Sequence, residues 1–264
     1  MTSFSAPEPS APPLYQQNPL DRFSQRADDY GRYRPSYPAA AIAEILQGLA
    51  QPLRVADIGA GTGISARLLA ESGAQVIALE PNAAMRQAAP PHAQVTYQGA
   101  TAEATGLPSH SVDLVTCFQS FHWFHPEASL REFQRILQPA GRLALIWNDR
   151  DEADEFTAAY SQLVRQATGN RYPNQEHRRA LDQVTASPLF GGLRHHSYAY
   201  HQSLNLAALL GRCRSSSYVP QQGEAYQQLV TDLKHLYEQF AGDRDRVELR
   251  YVTQVYLTEA AQNS

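Results

Sequence analysis

Three glycines at alternate positions, Gly59, Gly61 and Gly63, follow a short apolar run that ends with Asp57 and Ile58. Glycine allows a tight turn and leaves backbone N–H groups open to a ligand. The loop of nicotinamide-binding proteins is Gly-x-Gly-x-x-Gly, whereas here the third glycine comes one residue early. The sequence therefore predicts a loop that binds a nucleotide-like cofactor other than a nicotinamide dinucleotide.

Two carboxylates narrow the kind of cofactor. Asp57 lies two residues before the first glycine, and Glu80 ends the next apolar run. A negative charge at Asp57 would repel a pyrophosphate and attract a cationic ligand. A carboxylate at the position of Glu80 can accept hydrogen bonds from both hydroxyls of a ribose. Together they indicate a positively charged adenosyl cofactor.

Strands and helices alternate around this loop. Such alternation predicts parallel βαβ units, which place the carboxyl ends of all strands at one edge of a sheet, where ligands bind. The predicted strands cover residues 53–58, 74–80, 93–98, 112–118 and 142–147, and the helices cover 39–49, 64–72, 82–89 and 126–137.

After residue 147 the pattern changes to amphipathic helices and two late strands. We predict helices at 153–167, 175–184, 205–213 and 224–240, and strands at 193–202 and 247–257. The late strands would close the sheet, and the helices between them would form a cap. We expect a disordered tail at residues 1–20 and a single domain at 21–264, with an aromatic and arginine-rich arm at 21–38 and cap insertions within 151–245.

Composition excludes some classes of function. The 264-residue chain carries a formal net charge of −4, which argues against nucleic acid as a partner. No apolar run approaches the roughly 18 residues of a membrane span. The two cysteines, Cys117 and Cys213, are isolated and form no zinc or redox pattern. The predictions are a cytoplasmic protein, a monomer or homodimer, with no membrane partner.

Several segments together resemble the class I S-adenosylmethionine-dependent methyltransferases. They are residues 55–63, 79–85, 99–108, 111–115 and 118–124. The combination is similar to the type 11 methyltransferase group, small-molecule enzymes near the trans-aconitate methyltransferases. The resemblance implies a Rossmann-like methyltransferase sheet, mostly parallel with an antiparallel edge strand, S-adenosyl-L-methionine as cofactor, and a small-molecule methyl acceptor.

The resemblance also implies roles for individual residues. The loop would wrap the methionyl part of the cofactor with the help of Asp57, Glu80 would bind the ribose, and residues after the third strand would meet the adenine. Many relatives carry Asp where this chain has Thr101, so the backbone of Ala102 is expected to make that contact. The implied cofactor-binding residues are Tyr30, Arg34, Asp57, Gly59, Ala60, Gly61, Thr62, Gly63, Glu80, Pro81, Met85, Thr101, Ala102 and Gln119.

The reaction would be an in-line displacement at a sulfonium, in which the protein aligns the acceptor and excludes water. A carboxylate acceptor needs no base, whereas a phenol, amine or thiol can need one. His122 is the candidate base, and the alternative is a histidine that only shapes the pocket. The predicted substrate-binding residues are Tyr33, Trp123, Asn148, Arg150 and Tyr218.

O-methylation is favoured because Arg34 or Arg150 could hold an anionic acceptor. N-, S- or C-methylation of a small metabolite, and methylation of nucleic acid or protein, remain alternatives. Asp149 and Asp151 could hold Mg²⁺, but helix capping is the favoured interpretation of both residues. No metal is predicted.

Overall fold

Seven strands of the described chain form one sheet in the order β3-β2-β1-β4-β5-β7-β6. The computed structural model describes residues 14–16, 26–169 and 174–261. Strands β1 to β5 pair in parallel, β7 runs antiparallel to β5, and β6 runs antiparallel to β7. The strands are β1 (Arg54–Ile58), β2 (Gln75–Leu79), β3 (Val95–Gln98), β4 (Val112–Phe118), β5 (Leu137–Arg150), β6 (Phe190–Leu204) and β7 (Val247–Ala260).

The predicted mostly parallel sheet with antiparallel pairing at its edge is confirmed. Among the described strands β7 alone is reversed, and β6, which runs antiparallel to β7, points in the same direction as β1 to β5. Strand β4 has the predicted bounds, and its side chains are almost all buried, as expected for a strand covered on both faces. Strand β5 is longer than predicted. Pro139 and Gly141, which were expected to end the predicted helix at 126–137, lie instead within the first residues of this strand. The pairing with β4 shifts register there.

Helices cover both faces of the sheet. Ile42, Leu69 and Val55 belong to the core on one face, and Phe133, Val184 and Trp147 belong to the core on the other. The helices are α1 (Ala27–Tyr33), α2 (Ala39–Leu46), α3 (Ile64–Glu71), α4 (Ala83–Gln87), α5 (Pro126–Ile136), α6 (Glu155–Ala167), α7 (Asn174–Ala186), α8 (Leu206–Arg214) and α9 (Glu224–Ala241).

The cap has a third core of its own. Tyr160 of α6, Leu209 of α8 and Leu233 of α9 are fully buried, and they pack with Leu249 and Tyr251 of β7. The antiparallel half of the sheet is therefore the base of the cap. This arrangement brings residues far apart in sequence over the carboxyl edge of the parallel strands.

The N-terminal arm contains helix α1, and three contacts dock the arm on α8 and the segment that follows it. Asp29 pairs with Arg214, with 3.1 Å between Oδ2 and Nε. The ring of Tyr33 lies against Gly211, where a Cβ atom would come within 2.3 Å of the ring. Arg26 donates to the backbone carbonyl of Val219 at 3.1 Å. The arm is thus held between the sheet and the cap.

The predicted N-terminal tail and the membrane prediction can be compared only with the described residues. Of the predicted tail, Leu14–Gln16 form a short 3₁₀ helix, and its other residues lie outside the described ranges. Within the described ranges, every helix is too short or too polar to cross a membrane.

Candidate active site

The glycine loop leaves β1 in a left-handed backbone conformation at each glycine. The φ angles are 68° at Gly59, 57° at Gly61 and 73° at Gly63. The N–H groups of Gly59 and Ala60 donate to the carbonyl of Leu79, at 2.8 and 3.1 Å. The loop is therefore tied to the end of β2, the strand that carries the next functional residue.

Glu80 follows β2 and joins the loop to helix α4. One carboxylate oxygen accepts from the N–H of Gly61 and the other from the N–H of Asn82, both at 2.9 Å. Burial raises the pKa of Glu80, although these two hydrogen bonds oppose the shift. The carboxylate is fixed by backbone donors on both sides, and it lines a cavity in front of the loop.

This cavity has a volume of 520 Å³, which suits an adenosyl cofactor. Uncovered glycine backbone, aromatic rings, a thioether and carboxylates line it, and all of these are suitable partners for a sulfonium nucleoside. The predicted cofactor residues that line it are Tyr30, Gly59, Gly61, Glu80, Pro81, Met85, Thr101, Ala102 and Gln119. The structure adds Tyr15, Ala100, Glu103, Ser120, Phe124 and His125.

The other predicted cofactor residues lie elsewhere. Ala60 and Arg34 line a second, smaller cavity. Thr62 is buried, with a hydroxyl that has no hydrogen-bond partner among the described residues. Gly63 lies against the hydroxyl of Tyr97, where a Cβ atom would come within 2.0 Å of the oxygen. Thr62 and Gly63 therefore shape the loop from behind and do not line the cofactor cavity.

Asp57 also lies behind the loop, fully buried. Its carboxylate accepts from the hydroxyls of Ser65, at 2.6 Å, and Thr116, at 2.8 Å. Burial raises its pKa from 3.8 to about 6, although the two hydroxyl donors oppose the shift. An ionised Asp57 contributes negative potential under the loop, which favours a cationic ligand in the cavity.

Replacing Asp57 with Asn should not lower stability above neutral pH. Because the folded-state pKa exceeds the unfolded one, wild-type stability should fall by roughly 3 kcal/mol as pH rises through the window from 3.8 to about 6, and stay low above it. The variant should lose this pH dependence and bind S-adenosylmethionine about tenfold more weakly. Urea unfolding across this window and calorimetric titration would measure both, and marked destabilisation in alkaline buffer would contradict the expectation.

The second cavity, of 90 Å³, adjoins the first at Tyr30, Gly59, Gln119 and Trp123. Gln119 is a non-glycine residue with φ of 55°, and its side chain donates to the carbonyl of Asn148 at 3.2 Å. A strained residue at a junction of cavities is typical of a functional site. Four of the five residues predicted to bind substrate line this cavity, namely Trp123, Asn148, Arg150 and Tyr218.

Tyr33 is the exception among the predicted substrate residues. Its ring packs against Gly211, and its carbonyl accepts from the side chain of Gln202 at 3.0 Å. It is absent from the lining of both cavities. Tyr33 ends α1, and Arg34 leaves the helix in an extended conformation. Because the backbone changes direction between them, the two side chains diverge, and only Arg34 lines the smaller cavity.

The smaller cavity is positively charged. Arg34, Arg150 and Arg212 line it, and the described lining includes no aspartate or glutamate. Arg150 donates to the hydroxyl of Tyr218 at 2.6 Å, and Arg212 donates to the hydroxyl of Tyr251 at 3.0 Å. Burial raises the pKa of Tyr218, but the charges of the guanidinium groups outweigh burial, and the net shift is downward.

His122 lines the same cavity, but its geometry is unfavourable for a base. The indole N–H of Trp147 donates to its Nδ1 at 3.2 Å. Because indole only donates, Nδ1 is the unprotonated nitrogen, and the neutral ring carries its proton on Nε2. Burial, together with the charges of His177 and Arg34, lowers the pKa of His122 well below its usual range. His122 is thus a neutral hydrogen-bond donor.

Three polar or aromatic residues of the cavity walls that could bind a ligand were not predicted from the sequence. Arg212 of α8 and His177 of α7 line the smaller cavity, and Tyr15 lines the larger one and contacts the ring of His125 at 5.2 Å. Arg212 is almost fully buried. The one signal for it in the sequence was an arginine directly after the apolar stretch 206–211 of a cap helix.

The acidic residues at the end of β5 and just after it are not grouped around a metal site within the described ranges. Asp149 lies 3.4 Å from Nδ1 of His177, and Asp151 accepts from the N–H of Ala153 at 3.2 Å. Asp154 rather than either of them caps α6, accepting from the N–H of Thr157 at 3.0 Å. Within residues 26–169 and 174–261, no three His, Cys, Asp or Glu side chains are arranged to hold a metal ion.

A Rossmann-like sheet with a glycine loop, an acidic residue after β2 and a second cavity beside the first defines a class I S-adenosylmethionine-dependent transferase. A family model described as Methyltransferase domain matches residues 56–145. An uncharacterised methyltransferase of Mycobacterium tuberculosis is 34% identical over 200 residues, which are 74% of this chain and 76% of the relative. The chain therefore belongs to the methyltransferase family.

Solved structures agree on the fold. A protein of Anaeromyxobacter dehalogenans named as a type II methyltransferase superposes with a TM-score of 0.67 at 24% identity, covering 86% of this chain and 97% of that one. A protein of Anabaena variabilis, named as a methyltransferase from an antibiotic biosynthesis pathway, gives a TM-score of 0.57 at 25% identity, with 85% and 96% covered. The similarity thus includes the cap as well as the parallel sheet.

Proposed function

We propose that this methyltransferase transfers the methyl group of S-adenosylmethionine to an oxygen of an acidic small molecule. The observation that carries the proposal is the smaller cavity, which adjoins the cofactor cavity and is lined by Arg34, Arg150 and Arg212. Guanidinium groups bind carboxylates and phosphates through paired hydrogen bonds. Three of them in an enclosed space favour an anionic acceptor.

The enclosure supports a small acceptor over a macromolecule. The arm provides Tyr30 and Arg34, and the cap provides Arg212 and Tyr218, so the acceptor lies beneath both. N- or C-methylation is the alternative. A ubiquinone and menaquinone biosynthesis C-methyltransferase of Rubrivivax gelatinosus is 35% identical over 91 residues, but that match covers only 33% of this chain.

The residues present can perform the reaction chiefly by binding and alignment. S-adenosylmethionine supplies an electrophilic methyl group when bound. Glu80 and the amides around Gly61 would hold the nucleoside, and the buried charge of Asp57 would favour its cationic end. Gln119 and Trp123, at the junction of the cavities, would place the acceptor against the methyl group and exclude water.

The test is an assay of purified protein with labelled S-adenosylmethionine and a panel of hydroxybenzoates, aliphatic hydroxy acids, dicarboxylic acids and primary amines. Methyl transfer to an acid, with release of S-adenosylhomocysteine, is the expected result. Transfer to amines alone would contradict O-methylation. Binding of the donor without turnover of any acid would contradict the proposed acceptor class.

Replacing Arg34 with Met should raise the KM for the acidic acceptor by about 10- to 100-fold, because a charge-assisted hydrogen bond contributes roughly 1.5–3 kcal/mol. The dissociation constant of S-adenosylhomocysteine should change less than about threefold, because Arg34 lines only the smaller cavity. Arg32→Met, which replaces an exposed arginine of the same arm two residues earlier, is the matched control. Steady-state kinetics and calorimetric titration separate the two effects, and equal losses in both variants would contradict the assignment.

A further inference from the structure

A second histidine lines the smaller cavity beside His122. His177 lies on α7, and the two imidazole rings are 4.9 Å apart between centroids. Trp147 contacts both, donating to His122 and stacking on His177 with 5.0 Å between centroids and 29° between planes. The same indole therefore positions two imidazoles, which differ in the partners of their nitrogens.

The partners of His177 favour a tautomer with the lone pair on Nε2. Its Nδ1 is buried, lies 3.4 Å from a carboxylate oxygen of Asp149, and has no hydrogen-bond partner among the described residues. A carboxylate facing Nδ1 favours the tautomer with the proton on that nitrogen, as in carboxylate–histidine pairs of hydrolases and metal sites. The lone pair is then on Nε2. This is the opposite of His122, whose Nδ1 is the acceptor and whose Nε2 holds the proton.

We propose that His177 is the general base of the reaction and that the acceptor atom is a hydroxyl oxygen of an acidic molecule, not its carboxylate. This inference rests on the proposed function. The hydroxyl proton moves to Nε2 of His177, and the hydroxyl oxygen forms the bond to the methyl carbon. The electron pair of the broken carbon–sulfur bond stays on sulfur. Asp149, whose carboxylate is partly exposed to solvent, stabilises the resulting imidazolium of His177. The imidazolium then releases the proton to water.

The guanidinium groups and the two histidines of the smaller cavity would thus recognise two different groups of one substrate. The guanidinium groups bind an anion, which is already ionised and would need no base for methylation. A base beside them is useful only when a second group must lose a proton. A phenol or enol that carries a carboxylate or phosphate has this chemistry, and His122 would donate its Nε2–H to an oxygen of that substrate.

The tautomers provide a test that needs no acceptor. In protein labelled with ¹⁵N-histidine and saturated with S-adenosylhomocysteine, long-range ¹H–¹⁵N spectra distinguish Nδ1–H from Nε2–H rings. His177 should be the Nδ1–H form and His122 the Nε2–H form, with assignments from His177→Gln and His122→Gln. Asp149→Asn should shift His177 toward the Nε2–H form. A wild-type His177 in the Nε2–H form would overturn the proposal.

Activity provides the second test, with para-hydroxybenzoate and its ortho-nitro derivative as acceptors in mildly alkaline buffer. The nitro compound is already a phenolate there and needs no base. His177→Gln should lower kcat for para-hydroxybenzoate by about 100- to 10,000-fold and for the nitro compound by less than about threefold. Equal losses on both acceptors would overturn the proposal. His201→Gln, which replaces an exposed histidine of β6, is the control for folding and should change neither rate.

Other outcomes separate this inference from the proposed function. If the wild type methylates dicarboxylic acids but neither hydroxybenzoate nor any hydroxy acid of the panel, the reaction needs no base. His177 is then not catalytic, but the proposed O-methylation of an acid stands. If Tyr218→Phe, rather than His177→Gln, lowers kcat for para-hydroxybenzoate but not for its nitro derivative, the phenol of Tyr218 is the base instead. If no acid is methylated, the proposed function fails, and this inference fails with it.

Discussion

Replacing Glu80 with Gln is expected to weaken binding of S-adenosylhomocysteine by roughly 100-fold, about 2.7 kcal/mol. Glu80 accepts from backbone N–H groups through both carboxylate oxygens. An amide can keep only one of these bonds, and its NH₂ group would face the other N–H donor. The variant would therefore lose a ribose acceptor and also displace either the glycine loop or the start of α4. Calorimetric titration measures the change.

Glu71→Gln provides the control for Glu80→Gln. Glu71 is an exposed glutamate at the end of α3, so the same chemical change there should leave affinity within about twofold. If Glu80→Gln binds the nucleoside as well as this control does, the cavity in front of the loop is not the cofactor site. Thermal unfolding of the free variants shows whether a loss of affinity reflects a loss of structure.

Replacing Gly59 with Ala should lower the free energy of unfolding by about 2–4 kcal/mol and abolish measurable donor binding. The left-handed backbone contributes roughly 1 kcal/mol of strain for a residue with a Cβ atom, and overpacking contributes about 1–3 kcal/mol more. The added Cβ would lie 2.7 Å from Cβ of Ser120. Ser120 cannot easily move away, because its hydroxyl donates to the carbonyl of Ile58 at 2.7 Å. Urea unfolding and calorimetric titration would measure the two losses.

Gly48→Ala isolates the backbone part of this effect. Gly48 has a similar φ of 77°, but a Cβ atom there would meet nothing within 4 Å. This variant should lose only the roughly 1 kcal/mol of backbone strain and bind the donor normally. Equal destabilisation of the two variants would show that contact with Ser120 contributes nothing.

Much of the cofactor site could be predicted because it lies at the ends of consecutive parallel strands. The topology brings Gly59, Glu80, Thr101 and Gln119 to one edge, whatever the details of packing. The bounds of β4 could be predicted for a similar reason, since a strand buried on both faces is a continuous apolar run. In β4 the local sequence pattern, a continuous apolar run, directly reflects the position of the strand in the folded protein.

Two residues of the smaller cavity, Arg212 and His177, could not be predicted in the same way. Arg212 lies on α8, which packs in the cap core with β7, and His177 lies on α7, which packs on the sheet through Ala180 and Val184. No motif surrounds either residue. The function of His122 depended on a single contact, the indole of Trp147, which is 25 residues away in sequence. The sequence shows which residues can titrate, but the identity of a proton donor or acceptor depends on such contacts.

The docking of the arm has a kinetic consequence. Tyr30 belongs to the walls of both cavities, and its helix is joined to the cap through Asp29 and Arg214. Displacement of this helix therefore opens the two cavities together. Departure of the demethylated nucleoside and arrival of the next acceptor would then share one conformational step, the separation of the arm from the cap.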